Sequence, residues 1–121
     1  MKFVKVLRMI RKKTETIIPQ AAYLTNTWQH AKGLMFTFKM KHPLVFAFNK
    51  ERRVPLHMFF VFYPIDVIYL DSKKTVVEMK ENFKPFTKYN PKHKAKYVIE
   101  VENGFINSKN IQLNDVFDFR E

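Results

Sequence analysis

A run of sixteen residues from Leu56 to Asp71, LHMFFVFYPIDVIYLD, constrains the fold of this chain more than any other segment. Thirteen of the sixteen are apolar or aromatic when Pro64 is counted. A membrane-spanning helix needs about 20 consecutive, mostly apolar residues. This run is shorter, and Pro64, Asp66 and Asp71 interrupt it. It therefore predicts buried core strands and no membrane span.

The proline divides this run into two predicted strands, 56–63 and 65–71. Both alternating faces of 56–63 are apolar, which is typical of a strand that is covered on both sides. Pro64 has no N–H to donate to a sheet, so it indicates a bend between the strands. In 65–71, alternation places Asp66 on the same face as Ile68. The pattern thus predicts a carboxyl group inside the core.

Further short apolar segments alternate with turn signals along the chain, which is typical of a β protein. The other predicted strands are 19–26, 44–48, 75–83, 97–104 and 111–119, with charged turns at 50–53 and 71–74. A short helix is predicted at 26–33, where Asn26 can cap it and Gly33 can end it, and one helical turn near 105–110. We expect a mostly β fold at the margin of α+β: a single compact β barrel or sandwich of about seven short strands with one or two short helices.

The length of 121 residues suits one domain that buries most of its apolar surface. We expect a single β-rich domain over 19–121, preceded by a basic segment over 1–18. That segment carries six positive charges and one negative charge, which interrupt every apolar run. It therefore lacks the continuous apolar region of a signal peptide, and we expect the protein to be cytoplasmic.

Composition excludes several common catalytic sites. The chain has no cysteine, so disulfides and thiolate sites are impossible. Its two glycines are too few for a phosphate-binding or dinucleotide-binding loop, and neither serine lies in a Gly-x-Ser-x-Gly motif. The histidines have no His or carboxylate partner at helical spacing, so we expect no metal site and no cofactor; they are His30, His42, His57 and His93.

Asp66 is the polar residue most clearly placed in the predicted core. A buried carboxylate needs hydrogen bonds, a cation or a proton. In one interpretation Asp66 accepts backbone N–H groups from an adjacent turn and fixes the bend at Pro64. In the other it lies at the floor of a pocket and binds a hydroxyl or amine group of a ligand. His57 is then the best candidate for a second polar group, and an enzyme would need the two side chains within hydrogen-bond reach.

The net charge of +11 favours anionic partners. Segment 80–96 has the sequence KENFKPFTKYNPKHKAK, and its residues 84–96 are predicted to form a loop because Pro85 and Pro91 interrupt regular structure. Its alternating lysines and aromatic rings suit single-stranded nucleic acid, with candidate contacts at Lys84, Lys88, Lys92, Lys94, Phe86 and Tyr89. No RNA-binding fingerprint accompanies them, so we expect any such binding to be weak and non-specific.

Four short motifs, in this order, resemble the prokaryotic family called domain of unknown function 192. They are Gly-Leu-Met at 33–35, Pro-Ile-Asp at 64–66, Tyr-Val-Ile-Glu at 97–100 with Gly104 after it, and Asn-Asp-Val at 114–116. Many members have Trp-Met-Lys-Asn-Thr before the proline, where this chain has the more apolar His-Met-Phe-Phe-Val, and Asn114 replaces a glycine of the last motif. The resemblance covers most of the chain and implies a small, mostly β domain without implying an activity.

Three classes of function stay open. The first in rank is a non-catalytic module that binds a small molecule, with carbohydrate as one candidate ligand class and with Asp66 and His57 as its candidate residues. The second is a weak, non-specific binder of nucleic acid or another polyanion through segment 80–96. The third is an enzyme in which Asp66 acts as acid or base.

Overall fold

The computed structural model describes residues 2–11, 14–24, 39–40 and 42–119; within the first two ranges it describes the backbone and the side chain of Tyr23. The elements described are β1 (Lys2–Arg11), β2 (Thr14–Leu24), β3 (Leu44–Arg52), β4 (Leu56–His57), β5 (Ile65–Leu70), β6 (Val76–Phe83), β7 (Lys88–Tyr89), β8 (Ala95–Glu102), helix α1 (Phe105–Ser108) and β9 (Val116–Phe119). Seven of these strands form one sheet in the order β6-β5-β8-β3-β2-β1-β9, while β4 and β7 form a separate pair. The pairing is antiparallel except between β2 and β3.

The predicted mostly β fold is confirmed, and its architecture is sandwich-like. The seven-stranded sheet is not closed into a barrel, because its edge strands β6 and β9 do not pair in a ladder. A single antiparallel bridge between Thr75 and Val116 joins the two ends. Beside it, the Phe117 N–H donates to the carbonyl oxygen of Lys74 at 2.9 Å.

The central strands are buried on both faces, as the predicted strand 65–71 requires. Every residue of β5 is buried. On one face, here called the helix face, Ile68 packs with residues of α1 and β9. On the other, here called the loop face, Val67 and Tyr69 pack beneath residues from the irregular segment 54–63. This double burial explains why the sequence of β5 is an almost continuous apolar run.

The predicted strand over 56–63 is wrong beyond its first two residues. Only Leu56–His57 is a strand, and the chain then turns. The residues of the turn that point into the core are Met58 and Val61, which are three positions apart and therefore do not follow strand alternation. The carbonyl oxygen of Met58 accepts the Val61 N–H at 3.3 Å and the Phe86 N–H at 2.7 Å, so a contact with a distant loop stabilises the turn.

Other predicted boundaries differ by several residues. The charged turn at 50–53 is wrong, because β3 continues to Arg52 after a shift in its register with β8. The predicted loop 84–96 contains the short strand β7 and the start of β8, and the last predicted strand begins only at Val116. The helix predicted at 26–33 lies outside the described residues.

The basic N-terminal segment contributes to the main sheet. Strand β1 pairs with β2 on one side and with β9 on the other. The division of the chain between residues 18 and 19 stays a prediction. In the part of the chain that the structure describes, no helix is both long enough and apolar enough to cross a membrane.

Candidate functional site

Asp66 lies fully buried on the helix face of β5 and accepts four hydrogen bonds. Its Oδ1 accepts the backbone N–H of Asn82 at 2.9 Å and the side-chain amide of Asn103 at 3.1 Å. Its Oδ2 accepts the backbone N–H groups of Gly104 and Ile106, each at 3.1 Å. A carboxylate offers about four lone-pair positions for hydrogen bonds. Donors from the same chain therefore fill all the acceptor positions of Asp66.

These bonds give Asp66 the role of a helix cap that reaches across from a strand. The N-cap residue of α1 is Gly104, which has a left-handed φ of 92° and makes no side-chain capping bond. The first N–H groups of a helix lack partners within it, and Asp66 supplies the acceptor. The donors come from β6, from the side chain of Asn103 after β8, and from the start of α1. The sequence had instead suggested an adjacent turn at the bend of Pro64.

His57 lies on the exposed strand β4, away from Asp66. Its Nδ1 accepts the N–H of Phe59 at 3.2 Å, and its ring stacks on that of Phe59 with centroids 4.9 Å apart. It is not among the hydrogen-bond partners of Asp66. The structure therefore does not bring together the acid–base pair that an enzyme built on Asp66 would need.

The candidate polyanion contacts divide into exposed and engaged residues. Exposed residues are Phe86 and the four lysines at 84, 88, 92 and 94. Tyr89 is half-buried, its hydroxyl donates to Glu78, and its ring packs against Phe83 with centroids 6.2 Å apart. Tyr89 thus has a structural role through its hydroxyl and its ring.

Glu78 is a largely buried residue that the sequence did not single out. Besides the hydroxyl of Tyr89, it accepts the backbone N–H groups of Lys92 and His93, each at 2.9 Å. Nδ1 of His93 lies 2.8 Å from Glu78 Oε1. Burial opposes ionisation, but the hydrogen bonds from Tyr89 and His93 outweigh it and lower the pKa of Glu78. The cluster attaches segment 89–93 to β6.

Two further polar groups on the loop face have no such partners among the described residues. The Tyr69 hydroxyl is buried and has no hydrogen-bond partner within the described structure. Glu100 is 8% exposed, and among the described residues no hydrogen bond or ion pair reaches its carboxyl group. Burial raises the pKa of Glu100 to about 8. Burial, together with nearby Tyr89, Glu78 and Glu100, also raises the pKa of Tyr69.

The register of the sheet makes Tyr69 and Glu100 neighbours. Tyr69 pairs with Val98 and Val67 pairs with Glu100 between β5 and β8, so the two polar residues lie diagonally on one face. Diagonal neighbours on adjacent strands have their Cα atoms about 7–8 Å apart, which long side chains can span. With a pKa of about 8, Glu100 is mostly a neutral acid at pH 7 and can both donate and accept.

The signal for Glu100 was present in the sequence. It lies between Ile99 and Val101 in an apolar strand, as Asp66 lies between apolar neighbours, and it closes the Tyr-Val-Ile-Glu motif. Only its burial diagonally beside Tyr69 in the folded sheet distinguishes it from a solvent-facing glutamate. Within the described residues, no group of three or more His, Asp and Glu side chains could hold a metal ion.

Comparison with solved structures supports this fold. A Sinorhizobium meliloti protein described as a candidate transcription regulator superimposes with a TM-score of 0.89 at 20% identity, over 98% of this chain and 94% of that one. A protein of unknown function from Novosphingobium aromaticivorans gives a TM-score of 0.85 at 18% identity, over 95% and 84%. At such identities the similarity shows the fold alone.

Sequence comparison identifies the family that the motifs suggested. A Thermococcus sibiricus protein named UPF0127 protein is 41% identical over 90 residues, which are 73% of this chain and 58% of the relative. The chain likewise spans 57% of a Thermococcus kodakarensis relative, and a Pyrococcus furiosus relative is 33% identical over 85% of this chain and 89% of its own length. The model of the family DUF192, described as Uncharacterized ACR, COG1430, matches residues 8–119. This chain is therefore a member of the DUF192 family, whose relatives carry the name UPF0127.

Proposed function

We propose that this protein is a non-catalytic module that binds a small molecule through Glu100 and Tyr69 on the loop face. The observation that carries the proposal is a pair of neighbouring, buried polar residues whose side chains have no hydrogen-bond partner among the described residues. Roughly 90% or more of buried polar groups in native proteins are hydrogen-bonded, so an exception needs an explanation. A ligand that forms hydrogen bonds with both groups would supply this explanation.

The position of the two residues favours a preformed site. Glu100 and Tyr69 belong to β8 and β5, each of which has a neighbouring strand on both sides. Groups held by central strands lose little further freedom on binding, which favours affinity. The surrounding loop-face side chains are apolar and include Leu44, Val67 and Val98. An apolar surface with a few polar groups is typical of small-molecule sites.

The protonation of Glu100 favours a neutral ligand that carries hydroxyl groups. Because the acid is mostly uncharged at pH 7, it can donate to one ligand oxygen and accept from another group. The Tyr69 hydroxyl donates to a second oxygen. Carbohydrates and other polyols have this chemistry. Asp66 contributes less to this proposed ligand binding, because its acceptor positions are filled. His57 also contributes less, because it lies on an exposed strand.

Thermal shift measurements with sugars, polyols and amines test the proposal. A ligand at one hundred times its Kd stabilises the folded protein by about 2.7 kcal/mol, so it should raise the melting midpoint of the wild type. Glu100→Leu and Tyr69→Phe should abolish the shift. Matched controls are Glu102→Leu, exposed on the same strand, and Tyr97→Phe, on the helix face. A shift that survives in both site variants would place the ligand elsewhere.

Tyr69→Phe should also make the protein without ligand more stable. Burying a hydroxyl group without a hydrogen bond costs about 1–3 kcal/mol, and phenylalanine removes that cost with little change of shape. We expect the free energy of unfolding to rise by this amount in denaturant melts. Tyr89→Phe should have the opposite effect, because the Tyr89 hydroxyl bonds to Glu78. A loss of stability in Tyr69→Phe would mean that the hydroxyl already contributes to the fold.

A further inference from the structure

Four exposed phenylalanines lie on two neighbouring loops, and the proposed ligand site does not use them. They are here called the phenylalanine patch: Phe59 (36% exposed), Phe60 (47%), Phe62 (44%) and Phe86 (51%). The ring of Phe86 makes edge-to-face contacts with Phe60 and Phe62, with centroids 6.0 and 5.8 Å apart. Backbone hydrogen bonds from Met58 to Thr87 and from Phe86 to Met58 hold the two loops together.

The backbone at this patch is unfavourable for phenylalanine. Phe60 and Phe86 have φ angles of 59° and 60°, in the left-handed region that bulky residues avoid. Glycine or asparagine would adopt these angles more easily, and exposed rings gain little from burial. Backbone strain of this kind is found preferentially at functional sites. The strained backbone and the exposure of the rings both point to a role for these rings at the surface.

Lysines accompany the patch. Nζ of Lys88 lies 5.5 Å from the centre of the Phe59 ring, and Lys84 directly precedes the loop that carries Phe86. The exposed Lys92 and Lys94 follow in the same segment. Residues 84–96 contain no acidic residue. The surface therefore combines apolar rings with an excess of lysines, and an acidic residue near Lys94 is Glu51.

We propose that the phenylalanine patch and these lysines bind single-stranded nucleic acid. Bases stack on aromatic side chains regardless of sequence, while lysines neutralise the phosphates. The rings project from short loops beside the pair of β4 and β7. Each of these strands has only 2 residues, which makes the pair too short a ribbon to read the major groove of a duplex. In this proposal the rings of Phe59, Phe60 and Phe62 join Phe86, and Tyr89, whose hydroxyl bonds to Glu78, is left out.

Fluorescence anisotropy with a labelled oligothymidylate tests the rings first. The double variant Phe60→Asn, Phe86→Asn removes two rings and keeps the fold, because asparagine tolerates positive φ. We expect its affinity to fall at least about tenfold, given the known effect of removing a stacking ring. The matched control is Leu113→Asn, which changes an apolar side chain that is 55% exposed outside the patch and should leave binding unchanged.

The lysines are tested through the salt dependence of the same binding. Replacing Lys84, Lys88, Lys92 and Lys94 with Gln should reduce the slope of log K against log salt by about 3, since each phosphate contact to a single strand contributes about 0.7. Lys73→Gln with Lys109→Gln, two exposed lysines in other turns, should leave the slope unchanged. Unchanged binding in the phenylalanine variant would overturn the proposal. So would binding of the wild type to phosphatidylglycerol vesicles with none to the oligonucleotide, which would make the partner an anionic membrane.

Discussion

Replacing Asp66 with alanine is expected to destabilise the protein by about 3–5 kcal/mol. The variant leaves four donors without their acceptor, among them the buried N–H of Ile106. A buried donor that loses its partner costs about 1–3 kcal/mol, and water can recover part of this at the more exposed donors. The start of α1 also loses the only side-chain acceptor described for Gly104 and Ile106. Denaturant melts of wild type and variant measure the difference.

Asparagine at position 66 is expected to cost nearly as much as alanine. From the sequence alone it would be the milder change, because it keeps an acceptor of similar shape. In the structure both carboxylate oxygens accept two bonds each, so an amide nitrogen would face two N–H donors. Asp71→Asn is the matched control, since one oxygen of Asp71 accepts both of its backbone bonds and asparagine can keep them. Equal unfolding midpoints for wild type and both position-66 variants would contradict the capping role.

Stability is expected to decrease steeply with rising pH between about 5 and 8 because of Glu100. Burial raises the pKa of Glu100 from its ordinary value of 4.5 to about 8. Between these values the folded state holds a proton that the unfolded state releases, so this contribution is complete below pH 4.5 and is lost as pH rises through 8. The slope approaches about 1.4 kcal/mol per pH unit in the middle of this range, and the loss of stability from pH 5 to pH 8 is about 3.5 kcal/mol.

Glu100→Gln should remove most of this slope, because glutamine does not titrate. Chemical denaturation of wild type and variant at several pH values gives the difference directly, and Glu102→Gln, exposed on the same strand, should keep the wild-type slope. The titration of Glu78 does not affect the slope of stability against pH in this range. Its pKa is lowered, so its stabilising effect is lost only as pH falls below the range of the experiment. Identical slopes in wild type and Glu100→Gln would show that Glu100 reaches water in the folded state.

Local patterns in the sequence were sufficient for the fold class and for the strand that carries Asp66. Alternation along 65–71 correctly placed Asp66 with Ile68 on one buried face, and the Asn-Gly pair at 103–104 correctly ended the preceding strand. The motifs were sufficient for the family. These features depend on residues that are close to one another along the chain, so they can be predicted from a single sequence.

The features that the sequence missed depend on distant contacts. The aromatic residues of 58–63 fit a strand equally well by composition, and only the hydrogen bonds between Met58 and segment 86–87 turn them outward. Glu78 receives its donors from residues eleven to fifteen positions away. That no described residue bonds to the Tyr69 hydroxyl depends on how the loop face packs. Such features cannot be read from periodicity.

The pairing of the first and last strands has a consequence for how the chain folds. Leu7 of β1 lies opposite Phe119 of β9, so nearly the whole chain separates two adjacent positions of the sheet. Non-local pairing of this kind forms slowly, because the entropy of closing a long loop is lost before the contacts compensate for it. Until β9 docks, β1 keeps an open hydrogen-bonding edge that can recruit a strand from another molecule. The synthesis and refolding of this protein are therefore most vulnerable to aggregation in the interval before its last strand arrives.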